Sequence, residues 1–230
     1  MRLVLFDIDG TLLNSGGMGR AAMQRALGMV FGSPGNPSYR YDGKTDKQIV
    51  REVMRMEGHS DEHIDSRMEK LVELYLSGLR EGAKSGKFNV RPLDGVPEIL
   101  DALEQRDDVI LGLLTGNVEP GARIKLKAAG IDPDRFKINA FGSDHEHRPQ
   151  LPAIAQRRAG ETLGLDIAGD RLVVIGDTPA DIECGRSLGA KAIGVASGHY
   201  TVEQLQSHRP YAVFPSLADT EKVLETILDA

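Results

Sequence analysis

The feature that most constrains this chain is a rhythm of short apolar runs, each emptying into a polar turn. Leu3-Val4-Leu5-Phe6 breaks at Asp7-Ile8-Asp9-Gly10, and runs of the same kind recur at 109–114, 172–175 and 192–195. Helical periodicity fills most of the intervals between them. Apolar runs without polar alternation suit strands buried on both faces. Such strands, separated by helices, join by right-handed crossovers into a parallel sheet covered on both sides. The expected fold class is α/β.

The stretch 15–91 breaks the rhythm. It offers no clear strand and reads as three helices, at Met18–Phe31, Asp46–Met56 and 60–80. Asn14-Ser15-Gly16-Gly17 precedes it and Arg91-Pro92-Leu93-Asp94-Gly95 follows it, both rich in turn formers. The expected division is therefore a core at 1–14 and 92–230, with a helical insertion at 15–91 joined by two hinge-like linkers. Three helices packed into the main domain are the alternative. At 230 residues, with 40% hydrophobic and 27% charged positions, the chain suits one such core plus an insertion.

Charge and composition exclude several function classes. A net charge of −6 argues against a nucleic-acid partner, whose phosphates favour a basic surface. No apolar run approaches the roughly 20 residues of a membrane span, and the amino terminus lacks a signal peptide's long apolar stretch. A single cysteine excludes an internal disulfide and a multi-cysteine zinc site. The expectation is a soluble, cytoplasmic protein. Its oligomeric state is left open.

In open parallel sheets, ligands gather beyond the carboxyl ends of the strands. The first run delivers Asp7 and Asp9 there, with Gly10-Thr11 closing the turn. The second ends at Thr115-Gly116-Asn117, just before a helical pattern whose amino terminus could receive an anion. A later run ends at Gly176-Asp177, with Asp181 four residues on. Taken singly, these residues also suit ordinary turns and helix starts. Taken together, carboxylates converging on one edge imply a cation. Hard oxygen donors and a suspected phosphate site favour Mg²⁺ over zinc. The Asp7-x-Asp9 spacing also divides the labour of phosphoryl transfer: one carboxylate attacks phosphorus while the other exchanges protons with the leaving group and then with water.

These motifs resemble those of the haloacid dehalogenase superfamily. Asp7-Ile8-Asp9-Gly10-Thr11-Leu12 is similar to its first motif, D-x-D-G-T-L. Leu113-Leu114-Thr115 resembles its second, a hydrophobic strand ending in Thr or Ser. Gly176-Asp177-Thr178-Pro179-Ala180-Asp181 resembles its fourth, G-D-x-x-x-D. The resemblance implies a Rossmann-like core and makes Asp7 the nucleophile and Asp9 the general acid/base. It has Mg²⁺ held by the Asp7 side chain, the Asp9 main-chain carbonyl and Asp177, with Asp181 in support. Thr115, Gly116 and Asn117 would hold the phosphoryl oxygens. The insertion would be a helical cap, as in the phosphoglycolate-phosphatase-like branch, and its Asp42-Gly43-Lys44-Thr45-Asp46 turn would bring Lys44 and Thr45 to the substrate.

One departure stands out. The third motif normally supplies a Lys, and here the region reads His147-Arg148-Pro149. Arg148 is the expected substitute, with Lys125 and Lys127 the next candidates. A guanidinium keeps the charge but differs from an ammonium in shape and reach. Asp144-His145-Glu146-His147 is read as a solvated charged loop rather than a second metal site, and Cys184 as a small buried residue. The function expected is Mg²⁺-dependent hydrolysis of a small phosphorylated metabolite through an aspartyl-phosphate. A sugar-phosphate mutase or a non-catalytic phosphometabolite-binding module are the alternatives.

Overall fold

The computed structural model describes every residue from Met1 to Ala230. Six parallel strands form the central sheet: β1 (Arg2–Phe6), β4 (Val109–Thr115), β5 (Ile138–Phe141), β6 (Leu172–Gly176), β7 (Lys191–Val195) and β8 (Ala212–Phe214). Their spatial order is β5-β4-β1-β6-β7-β8. The chain runs outward from β1 through β4 to β5, then returns to the other side of β1 for β6. The order therefore reverses beside β1, and a crevice opens at the carboxyl ends of β1, β4 and β6, the place where such sheets bind ligands.

Alternation along the strands builds two cores from one sheet. Val4 and Phe6 of β1, with Val173 and Ile175 of β6, pack on one face beneath α4 (Val96–Glu104), α5 (Glu119–Ala128) and α9 (Thr220–Asp229). Leu3 and Leu5, with Leu172 and Val174, pack on the other face against α6 (Leu151–Leu163) and α7 (Pro179–Cys184). All eight strand residues are essentially inaccessible to solvent. The unbroken apolar runs in the sequence are the signature of this double burial.

Three helices follow β1: α1 (Met18–Phe31), α2 (Asp46–Met56) and α3 (Asp61–Ser85). Their apolar faces form a separate cluster, all of it between Met18 and Leu79 apart from Val118. Ser60 caps α3 and Thr45 caps α2, each side chain accepting a main-chain N–H from the first turn. The flanking segments are not independent linkers. β2 (Leu13–Asn14) and β3 (Arg91–Pro92) pair antiparallel, with Leu13 opposite Pro92 and Asn14 opposite Arg91. Helix α8 (Val202–Ser207), between β7 and β8, carries a capping box at Thr201 and Gln204. No helix is long and apolar enough to cross a membrane.

Candidate active site at the carboxyl edge of the sheet

Asp7 is the first residue past β1, where its main-chain N–H still donates to Ile175 of β6 at 2.9 Å. That bond fixes the backbone and aims the carboxylate into the crevice. Asp7 Oδ1 lies 3.0 Å from Arg148 Nη2. The same guanidinium pairs with Asp181 Oδ1 and donates to the Leu114 carbonyl at 3.2 Å. Arg148 is buried, so one cation holds two buried acids together at the base of the site.

Asp9 is turned the other way. Its Oδ2 accepts from Lys125 Nζ at 2.6 Å and from Asn117 Nδ2 at 3.0 Å. Lys125 reaches it from α5 and is itself buried. Gly19 of α1 makes room, since a Cβ there would sit 3.0 Å from the ammonium. Asp46, buried at the start of α2, adds a second negative charge near Lys125. Its carboxylate accepts from the Val118 N–H at 2.8 Å, and its own N–H donates to the Gly116 carbonyl at 2.8 Å.

Thr115 ends β4, and its hydroxyl oxygen accepts from Asn117 Nδ2 at 2.8 Å and Asn117 N at 3.3 Å. The Asn117 Oδ1 is buried without a partner. Gly116 admits the helical segment at close range, because a Cβ there would lie 2.1 Å from the Lys44 carbonyl oxygen. Asp177 is cradled in the same way: Cβ atoms at Gly10 and Gly198 would stand 2.4 and 1.8 Å from its Oδ2. Thr11 donates to its Oδ1 at 3.3 Å. Asp181 closes a capping box with Thr178, its Oδ2 accepting from Thr178 N at 3.0 Å and Oγ1 at 2.6 Å.

The electrostatics of this cluster are lopsided. Burial, reinforced by Asp181 and Asp7, pushes the Asp177 carboxyl well above the ordinary range. Burial also pushes Asp7 up to about 6, with Arg148 pulling down and Asp181 and Asp9 pushing further up. Asp9 goes the other way: against its burial, Lys125 and Asn117 hold it below the ordinary value. Lys125 keeps its proton because Asp9 and Asp46 outweigh its own burial. Carboxylate oxygens of Asp7, Asp177 and Asp181 lie within 4.8 Å of one another. This all-oxygen donor set, with more negative charge than Arg148 alone offsets, suits a hard divalent cation.

Asp7, Asp9, Thr115, Gly116, Asn117, Arg148, Lys44 and Asp177 line one cavity of about 430 Å³. Thr45 and Asp181 do not line it. The Thr45 hydroxyl caps α2 and donates to the Glu146 carbonyl at 2.7 Å, which fastens the helical segment to the loop bearing Arg148. Lys44 directs its ammonium to Glu52 at 2.6 Å. Lys127 is exposed, and His145 and His147 are exposed in a charged loop whose Glu146 pairs with Arg51. Cys184 is buried. The cavity is also lined by Asp46, by Tyr75, by Ser197, whose hydroxyl donates to the Gly10 carbonyl at 2.7 Å, and by Gly198, to none of which the sequence assigns a role. Lys125 did leave a signal, since it falls between Ala122, Leu126 and Ala129 on the apolar face of its helix.

Comparison with known proteins agrees with this geometry. The model of the haloacid dehalogenase-like hydrolase family matches residues 4–195. Over 215 residues the chain is 28% identical to the N-acetylmuramic acid 6-phosphate phosphatase of Pseudomonas aeruginosa, covering 90% of this chain and 87% of that one. Over 229 residues it is 24% identical to the phosphoglycolate phosphatase of Yersinia pestis, covering 95% and 91%. A hydrolase structure from Pseudomonas syringae shares the fold, with a TM-score of 0.74, 24% identity and 99% of both chains covered. With its strand-end aspartates, its reversed sheet order and a family match across most of its length, this chain is an enzyme that belongs to the haloacid dehalogenase-like hydrolase family.

Proposed function

We propose that this phosphatase hydrolyses a small phosphate monoester through an aspartyl-phosphate formed on Asp7. One observation carries the reading: Asp7 and Asp9 leave the same strand end yet are held by different cations, Arg148 and Lys125, in one cavity. A nucleophile needs its carboxylate fixed toward phosphorus. A proton carrier needs to be held apart from it.

Asp7 Oδ attacks phosphorus, and the leaving-group oxygen departs with a proton from Asp9, which takes one up when the anionic phosphate beside it raises its proton affinity. Asp9 then takes a proton from the water that opens the aspartyl-phosphate, which returns Asp7 and releases inorganic phosphate. Thr115 and the main-chain N–H groups of Gly116 and Asn117 bind phosphoryl oxygens, and Arg148 offsets charge at Asp7. Asp7, Asp177 and the Asp9 main-chain carbonyl would hold Mg²⁺, and Asp181, occupied by Arg148 and Thr178, steadies the set. When bound, that ion supplies positive charge that offsets the repulsion between the Asp7 carboxylate and the anionic phosphate. The helices α1–α3, with their own apolar cluster, act as a cap that covers the cavity and excludes water.

The test is phosphate release from p-nitrophenyl phosphate. EDTA is expected to stop it and Mg²⁺ to restore it. Asp7→Asn is expected to abolish turnover without loss of thermal stability. A tenth of wild-type kcat remaining in that variant would remove Asp7 from the nucleophile's role. A mutase would instead return mostly an isomer of a sugar phosphate, with little free phosphate.

A further inference from the structure

The charged loop at 144–147 lies between β5 and Arg148, and its two acids are tied to different parts of the molecule. Asp144 is tied to the sheet. Its Oδ2 accepts from the Phe141 N–H at 2.9 Å, and Arg158 of α6 grips both of its oxygens at 2.7 and 2.8 Å. Glu146 is tied to α2. Its Oε1 accepts from Arg51 Nε at 2.6 Å, and its carbonyl accepts from the hydroxyl of Thr45, which caps that helix, at 2.7 Å. Arg51 is braced from behind by Asp65 of α3 at 2.7 Å. Charges of alternating sign therefore run from α3 through α2 into the loop, and end two residues short of Arg148.

Two ion pairs join residues 18–85 to the rest of the chain. His199 and Asp42 stand 3.6 Å apart, with the imidazole 76% exposed. Arg51 and Glu146 meet at 2.6 Å, with side chains 17% and 21% exposed. Water screens exposed pairs, so Arg51–Glu146 carries more of the contact. A polar cavity of about 310 Å³ lies against it and has room for water, which lets the pair part and re-form. Arg148, in turn, is sensitive to where its backbone sits. Its contacts to Asp7, Asp181 and the Leu114 carbonyl are all made by Nη2. That nitrogen has two protons for three acceptors, while Nε is buried without a partner. A guanidinium engaged at one corner can pivot, and its aim follows the loop that carries it.

We propose that Glu146 is a positioning residue through which α2 sets the aim of Arg148. With α2 seated, Arg51 and Thr45 hold residue 146, and Nη2 meets Asp7. With α2 lifted, both bonds are lost, and no other hydrogen bond reaches residue 146. Asp7 is then no longer fixed by its cation, and a misplacement of about 1 Å in such a site costs on the order of a hundredfold. Chemistry is thereby tied to the seating of the helices over the cavity. This role presupposes the phosphatase reading above and extends it to the loop before Arg148.

Steady-state hydrolysis of p-nitrophenyl phosphate with Mg²⁺, measured beside urea midpoints, tests this. Glu146→Ala is expected to lower kcat per folded enzyme roughly tenfold, the small end of the range for a charge-assisted hydrogen bond because the pair is partly wet. KM should move by less than about twofold, since ground-state binding is not what is lost. Glu146→Gln, which can still accept from Arg51, should recover part of the loss. Arg51→Met should match Glu146→Ala, and the two together should cost little more than either alone. The decisive background is Arg148→Ala, in which Glu146→Ala should change kcat by less than about twofold, because its effect runs through Arg148. Wild-type kcat per folded enzyme in Glu146→Ala overturns the proposal, whatever the urea midpoint does. So does an undiminished loss in the Arg148→Ala background, which would mark general loosening of the loop. An enzyme inert toward p-nitrophenyl phosphate before any substitution overturns the phosphatase reading instead, and the positioning role with it.

Discussion

Arg148 is the residue on which the cluster turns, because it is the one cation in contact with both Asp7 and Asp181. Removing it leaves two buried carboxylates without their partner, a loss of about 3–5 kcal/mol for a broken buried pair. Arg148→Ala should therefore lower both kcat/KM, by roughly 10- to 150-fold for the charge-assisted bond to Asp7, and the urea midpoint of the metal-free protein. Arg148→Lys should recover part of the activity, but an ammonium without the planar fork holds two acids less well. Unchanged values for Arg148→Ala would make Arg148 a bystander. Lys125 predicts a different pattern. If it positions Asp9 as the proton donor, Lys125→Met should slow an alkyl phosphate far more than p-nitrophenyl phosphate, whose leaving group needs no proton. Equal slowing of both would assign Lys125 a general structural role. The aspartates were legible in the sequence because strand ends and spacing reveal carboxylates. Which cation serves which aspartate was not, since Lys125 lies over a hundred residues from Asp9 and Arg148 over a hundred from Asp7, and a helix or loop can present either from many directions.

At the level of elements, the joint between α2 and the turn after β4 is made of backbone. The Asp46 N–H donates to the Gly116 carbonyl, and the Lys44 carbonyl fills the space where a Gly116 side chain would be. Gly116→Ala should force the 44–45 turn away from the phosphate-binding loop, since main chain cannot yield as a side-chain tip does. The expected result is a loss of at least about tenfold in kcat/KM shared between kcat and KM, as for changes that disturb closure. Wild-type kinetics in that variant would show the joint to be dispensable. The elements themselves were unevenly legible. Four strands announced themselves as unbroken apolar runs, whereas β5 is short and interrupted by Asn139, and β8 has only three residues at the sheet edge. The β2–β3 pair escaped because two residues carry no periodicity and Pro92 argues against a strand except at an edge. Helix α3 runs to Ser85 rather than 80, with Gly82 buried against Met18 of α1 and Gly86 ending it in the left-handed region.

For the molecule as a whole, clustered acids make stability depend on pH and metal in a definite direction. Asp7 and Asp46 are both pushed up to about 6 by burial, from an ordinary value of 3.8. Between those values the folded protein holds protons that the unfolded chain has released, so stability falls as pH rises through that window. A carboxyl moved that far accounts for ~3 kcal/mol. In EDTA, Tm should decline from about pH 4 to pH 6, with the raised Asp177 carboxyl adding to the decline, and Asp46→Asn should flatten part of it. Mg²⁺ at pH 7.5 should raise Tm by binding only the folded state. A metal-free Tm that climbs across the window would contradict this account. The sheet, the helical stretch and the sidedness of the site followed from the sequence, since periodicity encodes burial. The Arg20 wall of the cavity did not, because Arg20 of α1 and Tyr41, which both line it, meet only after α1 and the irregular loop at 32–45 have folded against each other. The pairing of Asn14 with Arg91 has one more consequence. The chain departs for the helical stretch and returns from it at adjacent positions on a two-stranded ribbon, so everything between occupies a cassette with one narrow doorway. Exchanging that cassette for a relative's is expected to leave the ends of β1 and β4 in place only where the bonds of Thr45 and Asp46 to Glu146, Gly116 and Val118 are kept. Grafting at that single seam is expected to change the substrate profile while the chemistry of the sheet edge stays in place.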